Sequence, residues 1–216
     1  MELVIIGNGP SRNLYKESSL YDHVIACNFA DVVCDDRVFV DAFAARHMRP
    51  REKYHDWLDR NETCWFGERC FNYLKTVSAY PGGTQTLADY FLALGHEPFI
   101  YPSPFRENQR FFNSGHAAFH IGCSGYEPHN VHLFGFDSLF TGDHYASYTN
   151  IDLRGAGETT LEINTEDTSE DAIAWHRNWE KLFEMYDQPQ GIYFYGYSET
   201  SVFDFTDPRI QICKIR

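Results

Sequence analysis

The opening of the chain constrains its fold more than any other stretch. The apolar run Leu-Val-Ile-Ile at 3–6 is followed directly by Gly7, Asn8, Gly9, Pro10 and Ser11. A short apolar run rich in β-branched residues is typical of a central parallel strand that is covered on both faces. Glycines let the following turn approach a ligand closely, and we expect Ser11 to cap a short helix. The N-terminus of that helix would offer N–H groups and positive potential to a phosphate.

Further apolar runs alternate with helical patterns along the chain. We predict strands at 3–6, 23–27, 37–40, 63–66, 129–134, 192–195 and 210–215. We predict helices at 11–16, 50–60, 84–94, 114–123 and from 168 or 169 to 186. This alternation indicates an α/β protein with a Rossmann-like, mostly parallel sheet flanked by helices. The 216 residues fit a single domain, 1–216.

Polar residues follow several of the predicted strands. Asn8, Asn28, Asp41 and Asp137 each lie where a strand is predicted to end. Ligands of open α/β sheets bind outside the carboxyl ends of the strands, near the point where the strand order reverses. The sequence therefore predicts that these side chains share one crevice.

Residues 138–168 are polar, weakly periodic and rich in Gly, Thr, Asn and Asp. A loop of this length in a compact domain is commonly a lid or a binding loop. We therefore expect a lid insertion at 138–168.

Composition narrows the cellular setting and the partners. The formal net charge of -13 repels nucleic acid at long range, although a basic cluster lies at 46–53. That cluster is either the solvated start of a helix or a surface for an anionic partner. No stretch approaches the ~20 apolar residues of a membrane span, and the opening lacks a basic signal-peptide region. The scattered cysteines contain no Cys-x-x-Cys pair. We expect a cytoplasmic protein with reduced thiols, and the sequence is compatible with a homo-oligomer.

Four short motifs resemble one enzyme family. The segment at 4–11, Val-Ile-Ile-Gly-Asn-Gly-Pro-Ser, resembles the opening of the bacterial sialyltransferases that include the lipooligosaccharide enzymes of Campylobacter. Ala-Cys-Asn at 26–28, Asn-Ser-Gly at 113–115 and Gly-Phe-Asp at 135–137 resemble further motifs of that family, in the same order. Gly142 and Tyr145 keep the family's spacing after the Asp. Related openings occur in Rossmann-like proteins similar to hydroxymethylpterin pyrophosphokinase.

The resemblance implies one nucleotide-binding domain whose lid closes over a CMP-sugar, with no metal and no cofactor besides the donor. It implies nucleotide contacts from Asn8, Asn28, Ser114 and Gly115. The glycine-rich turn after the first strand adds Gly7, Gly9 and Ser11 as expected nucleotide contacts. Tyr145 would donate a hydrogen bond to the departing phosphate. Asp137 would orient a loop or bind a substrate hydroxyl, and Arg110 would contact the substrate through the fork of its guanidinium. Asp41 is a further candidate for substrate contact because it lies where a strand is predicted to end.

The chain departs from the family where the general base is expected. The family has a histidine shortly before the last long helix, whereas this chain has an acidic run at 166–171. Asp167 or Glu170 can take the role of base, or these acids only cap the helix. His144, next to Tyr145 in the expected lid, is the alternative base. The family's second tyrosine is Leu139 here.

Histidine spacing gives only a weak metal signal. His116 and His120 share a helix face, but the Glu of a metalloprotease helix is missing, and zinc needs three or four ligands. We therefore expect no metal site.

These observations favour a metal-independent glycosyltransferase. The donor would be CMP-sialic acid or another pyrimidine nucleotide sugar, and the acceptor would be a hydroxyl of a glycan. Alternatively, the acceptor is a hydroxymethylated DNA base contacted by residues 46–53. Two different functions are also compatible with the sequence, namely a Mg²⁺-dependent pyrophosphokinase and a non-catalytic nucleotide-binding protein.

Overall fold

The computed structural model describes residues 1–28, 30–40, 62–80, 82–106, 109–137, 139, 165–196 and 205–214. For residues 110 and 165–172 it describes the backbone alone.

One parallel sheet organises the described part of the chain. Its strands are β1 (Glu2–Ile6), β2 (His23–Cys27), β3 (Asp36–Phe39), β4 (Thr63–Phe66), β5 (Glu97–Pro98), β6 (Asn130–Phe134), β7 (Gly191–Gly196) and β8 (Ile210–Lys214). The helices are α1 (Glu68–Leu74), α2 (Leu87–Ala93), α3 (Ser114–Tyr126) and α4 (Thr165–Met185). Three 3-10 helices span Pro10–Leu14, Ser103–Phe105 and Gln109–Phe111.

The order of the strands fixes where a ligand site belongs. The order is β5-β4-β3-β2-β1-β6-β7-β8, and every neighbouring pair is parallel. From β1 the chain moves outward to β5, returns to place β6 beside β1, and moves outward again on the other side. The order therefore reverses between β1 and β6. The predicted Rossmann-like α/β class is confirmed, and the carboxyl ends of β1 and β6 form the reversal point.

The apolar runs occupy the middle of the sheet because both of its faces are covered there. All four residues of the run at 3–6 are completely buried in β1. On one face Leu3 and Ile5 join a core that includes residues of α3 and α4, among them Phe119 and Trp179. On the other face Val4 and Ile6 join a smaller cluster. Trp175 and Trp179, four positions apart in α4, are both buried.

Several predicted boundaries need correction. Gly9, not Ser11, is the N-cap of the first 3-10 helix, because the Ser11 hydroxyl is held by a residue distant in sequence. The helix predicted at 114–123 is longer than expected: α3 continues through Ser124 and Gly125 to Tyr126 and stops where Glu127 takes a left-handed conformation with φ 48°.

The long helix α4 begins at Thr165, so residues 165–168 of the expected lid are helical. The predicted helix at 84–94 shortens to α2, because Thr86 and Asp89 form a capping box at its start. The short elements α1 and β5 were not predicted. The predicted helix at 50–60 lies outside the described residues. Within the part of the chain that is described, no helix is long and apolar enough to cross a membrane.

Candidate functional site

Backbone contacts join the loops that follow β1 and β6. The Gly7 N–H donates to the Phe134 carbonyl at 2.7 Å, and the Gly9 N–H donates to the Gly135 carbonyl at 2.9 Å. A Cβ on Gly7 would lie 2.4 Å from the Gly135 oxygen, and Gly135 itself has φ 79°. Glycine is therefore required here by the close approach of the two loops. The N–H groups of Gly7 and Gly9 both have acceptors within the chain. The nucleotide contacts predicted for these two glycines stay predictions.

Ser11 and Asp137 lock the same two loops together. One carboxylate oxygen of Asp137 accepts the Ser11 N–H at 2.9 Å and the Ser11 hydroxyl at 2.7 Å. The Ser11 hydroxyl oxygen in turn accepts the Gly135 N–H at 3.0 Å. Burial raises the pKa of Asp137, against the opposing effect of the Ser11 hydrogen bonds. The structure gives Ser11 and Asp137 a role in holding the loops, while their predicted ligand contacts stay predictions.

Asn28 and Ser114 meet across the edge of the sheet. The Ser114 hydroxyl donates to the Asn28 side-chain oxygen at 3.0 Å, although the two residues are 86 positions apart. Asn28 directly follows β2 and has φ 50°, a left-handed conformation that few non-glycine residues adopt. Non-glycine residues in this conformation cluster at functional sites. Ser114 and Asn8, the polar residue of the β1 loop, are both buried.

The first turn of α3 presents hydrogen-bond donors beside this pair. Asn113 caps the helix by accepting the His116 N–H at 3.1 Å, and His116 Nδ1 accepts the Asn113 N–H at 3.0 Å. Among the residues with described positions, nothing accepts the N–H groups of Ser114 and Gly115. A helix N-terminus with two open N–H groups favours an anion.

Phe136 limits where a ligand can lie. A Cβ on Gly115 would stand 2.4 Å from the Phe136 ring, and one on Gly7 would stand 3.4 Å from it. The ring therefore fills the space between β1 and the first turn of α3.

His116 is a structural residue. It is completely buried, and burial lowers its pKa to about 3, against a smaller opposite effect of its bond to Trp175. Since Nδ1 accepts from Asn113, the neutral ring carries its proton on Nε2, which donates to the Trp175 carbonyl at 3.0 Å. Both nitrogens are thus engaged, and the histidine ties the start of α3 to α4.

Sequence reasoning missed a buried ion pair beneath Asn28. Arg37 of β3 is completely buried, and its guanidinium donates to both carboxylate oxygens of Glu62 at 2.7 and 3.1 Å. It also donates to the carbonyls of Asn28 and Ala30, each at 2.9 Å, and of Val32 at 3.1 Å. A charged residue inside a predicted buried strand was the available signal, because such residues are almost always paired.

Arg12 is a second cation that the sequence patterns did not single out. Its Cβ is 3.1 Å from where a Cβ on Gly135 would stand, which places it at the reversal point. Burial lowers the pKa of Arg12, and the charge of Asp31 opposes this shift.

For the remaining predicted residues the structure describes the backbone at most. Asp41, His144 and Tyr145 lie outside the described residues. Asp167 and Glu170 lie in the first two turns of α4, and Arg110 lies in the last 3-10 helix, in each case with the backbone alone described. Leu139, at the position of the family's second tyrosine, is buried in the core.

A different polar cluster lies at the opposite, amino edge of the sheet. The Asp36 carboxylate accepts the Tyr126 hydroxyl at 2.6 Å and the Trp65 indole N–H at 2.9 Å, and His23 Nε2 lies 2.7 Å from it. Burial opposes ionisation of Asp36, but these hydrogen bonds outweigh it and hold its pKa below the ordinary value. Nowhere in the described ranges do three or more His, Cys, Asp or Glu side chains converge as a metal site would require.

We compared the chain with known protein families, curated proteins and solved structures. No protein-family model, curated protein or solved structure matches the chain.

Proposed function

We propose that this protein is a metal-independent glycosyltransferase that binds a pyrimidine nucleotide sugar at the carboxyl edge of the sheet. The observation that supports this most is the contact between Asn28 and Ser114, next to two open N–H groups of α3. It lies close to the reversal point, where sheets of this class bind ligands. The resemblance of four ordered motifs to the sialyltransferases supports the reaction class.

The phosphate of the donor would lie at the first turn of α3. Aligned peptide dipoles give a helix N-terminus the equivalent of roughly +0.5 charge, and the N–H groups of Ser114 and Gly115 point the same way. Negative charge grows on this phosphate as the bond to the sugar breaks. Donors that are already in place stabilise that charge without reorganising. Arg12 would add a full positive charge near the β1 loop.

The two asparagines would recognise the nucleoside. An amide offers both donors and an acceptor, which suits the mixed edge of a pyrimidine or the hydroxyls of a ribose. Asn28 uses its oxygen for Ser114, and its NH₂ group has no acceptor among the described residues. Asn28 would therefore donate to the nucleotide.

The chemical step would follow the family pattern. A hydroxyl of the acceptor attacks the anomeric carbon, the bond to the phosphate breaks, and the attacking hydroxyl loses its proton to a base. Asp167, Glu170 and His144 are the candidates for that base, and Tyr145 would donate to the departing phosphate. The bonds between His116 and Trp175, and between Asn178 and Phe111, tie α4 to the nucleotide edge.

A thermal-shift screen of nucleotides and nucleotide sugars, with and without Mg²⁺, tests the proposal. A ligand that binds only the folded chain raises its melting temperature by mass action. We expect the largest shift with a pyrimidine nucleotide, unchanged by EDTA, and a much smaller shift in Asn8→Ala or Asn28→Ala. A shift with ATP alone would count against the proposal.

Turnover separates glycosyl transfer from the competing functions. Release of free CMP from a CMP-sugar, with EDTA present, supports glycosyl transfer. A strict requirement for Mg²⁺ would instead indicate pyrophosphoryl transfer, and tight nucleotide binding without turnover would indicate a sensor. Affinity for modified DNA that falls steeply with salt would point to a DNA acceptor.

A further inference from the structure

We infer that the buried Arg37–Glu62 pair positions Asn28 for nucleotide binding, although neither residue would touch the nucleotide. This inference rests on the proposed function, because it assigns Asn28 a ligand. The guanidinium of Arg37 links β3 to Glu62 and to the loop after β2.

Every N–H group of the Arg37 guanidinium has an acceptor. Arg37 makes two bonds to the Glu62 carboxylate and three to loop carbonyls. The carboxylate fixes the plane of the fork, since a bidentate pair has one preferred geometry. The fork then fixes three alternate carbonyls, at residues 28, 30 and 32. These bonds from Arg37 therefore determine the backbone path of the loop at residues 28–32, apart from residue 29, which is not described.

The hydrogen bonds from Arg37 maintain an uncommon backbone conformation at Asn28. Asn28 is left-handed, with φ 50°, and its N–H donates to the Val38 carbonyl at 2.9 Å. Its carbonyl is directed to Arg37 and its side chain to Ser114. A left-handed residue persists only where its surroundings determine it. Arg37 of β3 contributes to this by holding the Asn28 carbonyl in place through a hydrogen bond.

Arginine, rather than lysine, is required for this set of hydrogen bonds. Lysine has one nitrogen and cannot reach Glu62 and three separate carbonyls together, whereas the planar guanidinium can. Replacing a buried ion pair by apolar residues is often neutral or stabilising. If the pair served stability alone, its apolar replacement would therefore leave nucleotide binding intact.

A double-mutant cycle tests the inference. We would measure the Kd for CMP by titration calorimetry in the wild type, Arg37→Lys, Asn28→Ala and the double variant. Arg37→Lys should weaken binding by about tenfold or more, and it should add less than about twofold in the Asn28→Ala background. Equal weakening in both backgrounds, or none in the first, would overturn the inference.

Two further variants separate positioning from folding. Tyr126→Phe removes one hydrogen bond from the Asp36 cluster at the amino edge, and it should lower the melting temperature without changing the Kd by more than about twofold. The double variant Arg37→Met/Glu62→Met leaves no unpaired buried charge. It should stay folded and still lose CMP affinity; retention of wild-type affinity would contradict the inference.

Amide hydrogen exchange keeps the test independent of the ligand. If the wild type binds no nucleotide, the proposed function fails, and exchange at the Asn28 N–H then decides the role of Arg37. That N–H should lose protection in Arg37→Lys and keep it in Tyr126→Phe. Unchanged protection in Arg37→Lys would overturn the positioning role on its own.

Discussion

The two edges of the sheet both carry buried polar clusters that involve β2 and α3. The clusters differ in how many of their hydrogen-bonding groups have a described partner. At the amino edge the Asp36 carboxylate is saturated by the groups around it, Tyr126, Trp65 and His23. At the carboxyl edge Ser114 satisfies the oxygen of Asn28, while the first N–H groups of α3 have no described acceptor. A saturated cluster stabilises the fold, and a cluster with open donors can also hold a ligand. The difference therefore favours the carboxyl edge as the place of function.

The largest effect is expected from a substitution of Asp36 at the amino edge, and it should lower the stability of the fold without changing nucleotide binding. Asp36→Asn keeps the shape of the side chain but turns an NH₂ group towards donors. We expect a loss of about 3 kcal/mol in the free energy of unfolding, because buried donors lose their acceptor. Urea unfolding measures this loss. The Kd for CMP should stay unchanged, and a parallel loss of binding would break the distinction between the edges.

The second-largest effect is expected at the carboxyl edge, where a substitution of Asn28 should lower the affinity for CMP. Asn28→Asp still accepts the Ser114 hydroxyl and tolerates the left-handed conformation, but it replaces a donor by a negative charge. We expect CMP affinity to fall about 100-fold while the melting temperature changes little. Calorimetric titration checks the affinity, with Trp65→Phe as the matched control at the other edge. Full affinity in Asn28→Asp would remove Asn28 from the site.

Substitution of a glycine near each end of α3 allows the two ends of the helix to be compared directly. Gly115→Ala would press a Cβ against the Phe136 ring and should cost about 1–3 kcal/mol in stability. Gly125→Ala meets no atom within 4 Å and should stabilise the helix by about 0.5–1 kcal/mol. Chemical denaturation of both variants measures the difference. Equal effects would mean that Phe136 does not restrict the start of the helix.

The smallest effect is a pH dependence of opposite sign at the two edges. The pKa of Asp36 is lowered, so its contribution to stability is present above the ordinary value of about 3.9 and is lost as pH falls through the folded value. The pKa of Asp137 is raised, so its contribution is present below about 3.9 and is lost as pH rises through the folded value.

Stability measured against pH for the wild type, Asp36→Asn and Asp137→Asn isolates the two contributions. The difference between the wild type and Asp36→Asn should shrink on acidification. The difference for Asp137→Asn should shift in favour of the wild type. Shifts of the same sign in both variants would contradict the assigned environments.

Much of the fold could be predicted because it depends on local patterns. The apolar runs of β1, β2 and β4 and the helical spacing of α3 are visible in the sequence. Polar residues at strand ends pointed to the carboxyl edge, and Asn28 and Ser114 do meet there.

Long-range contacts explain what could not be predicted. Ser11 looks like a helix cap, but its hydroxyl bonds to Asp137, which is 126 positions away. The partner of Arg37 is 25 positions away at Glu62, and no periodicity links them. Ser124 and Gly125 signal a break, but the Ser124 hydroxyl donates to the His120 carbonyl within the continuing helix.

The most direct test is an NMR titration of the ¹⁵N-labelled protein with CMP. We predict that the amide signals of Ser114 and Gly115 and the side-chain NH₂ of Asn28 shift together with one Kd. The indole N–H of Trp65, at the amino edge, should stay unmoved. Shifts confined to the amino edge, or no shift at the first turn of α3 at saturating CMP, would contradict the account.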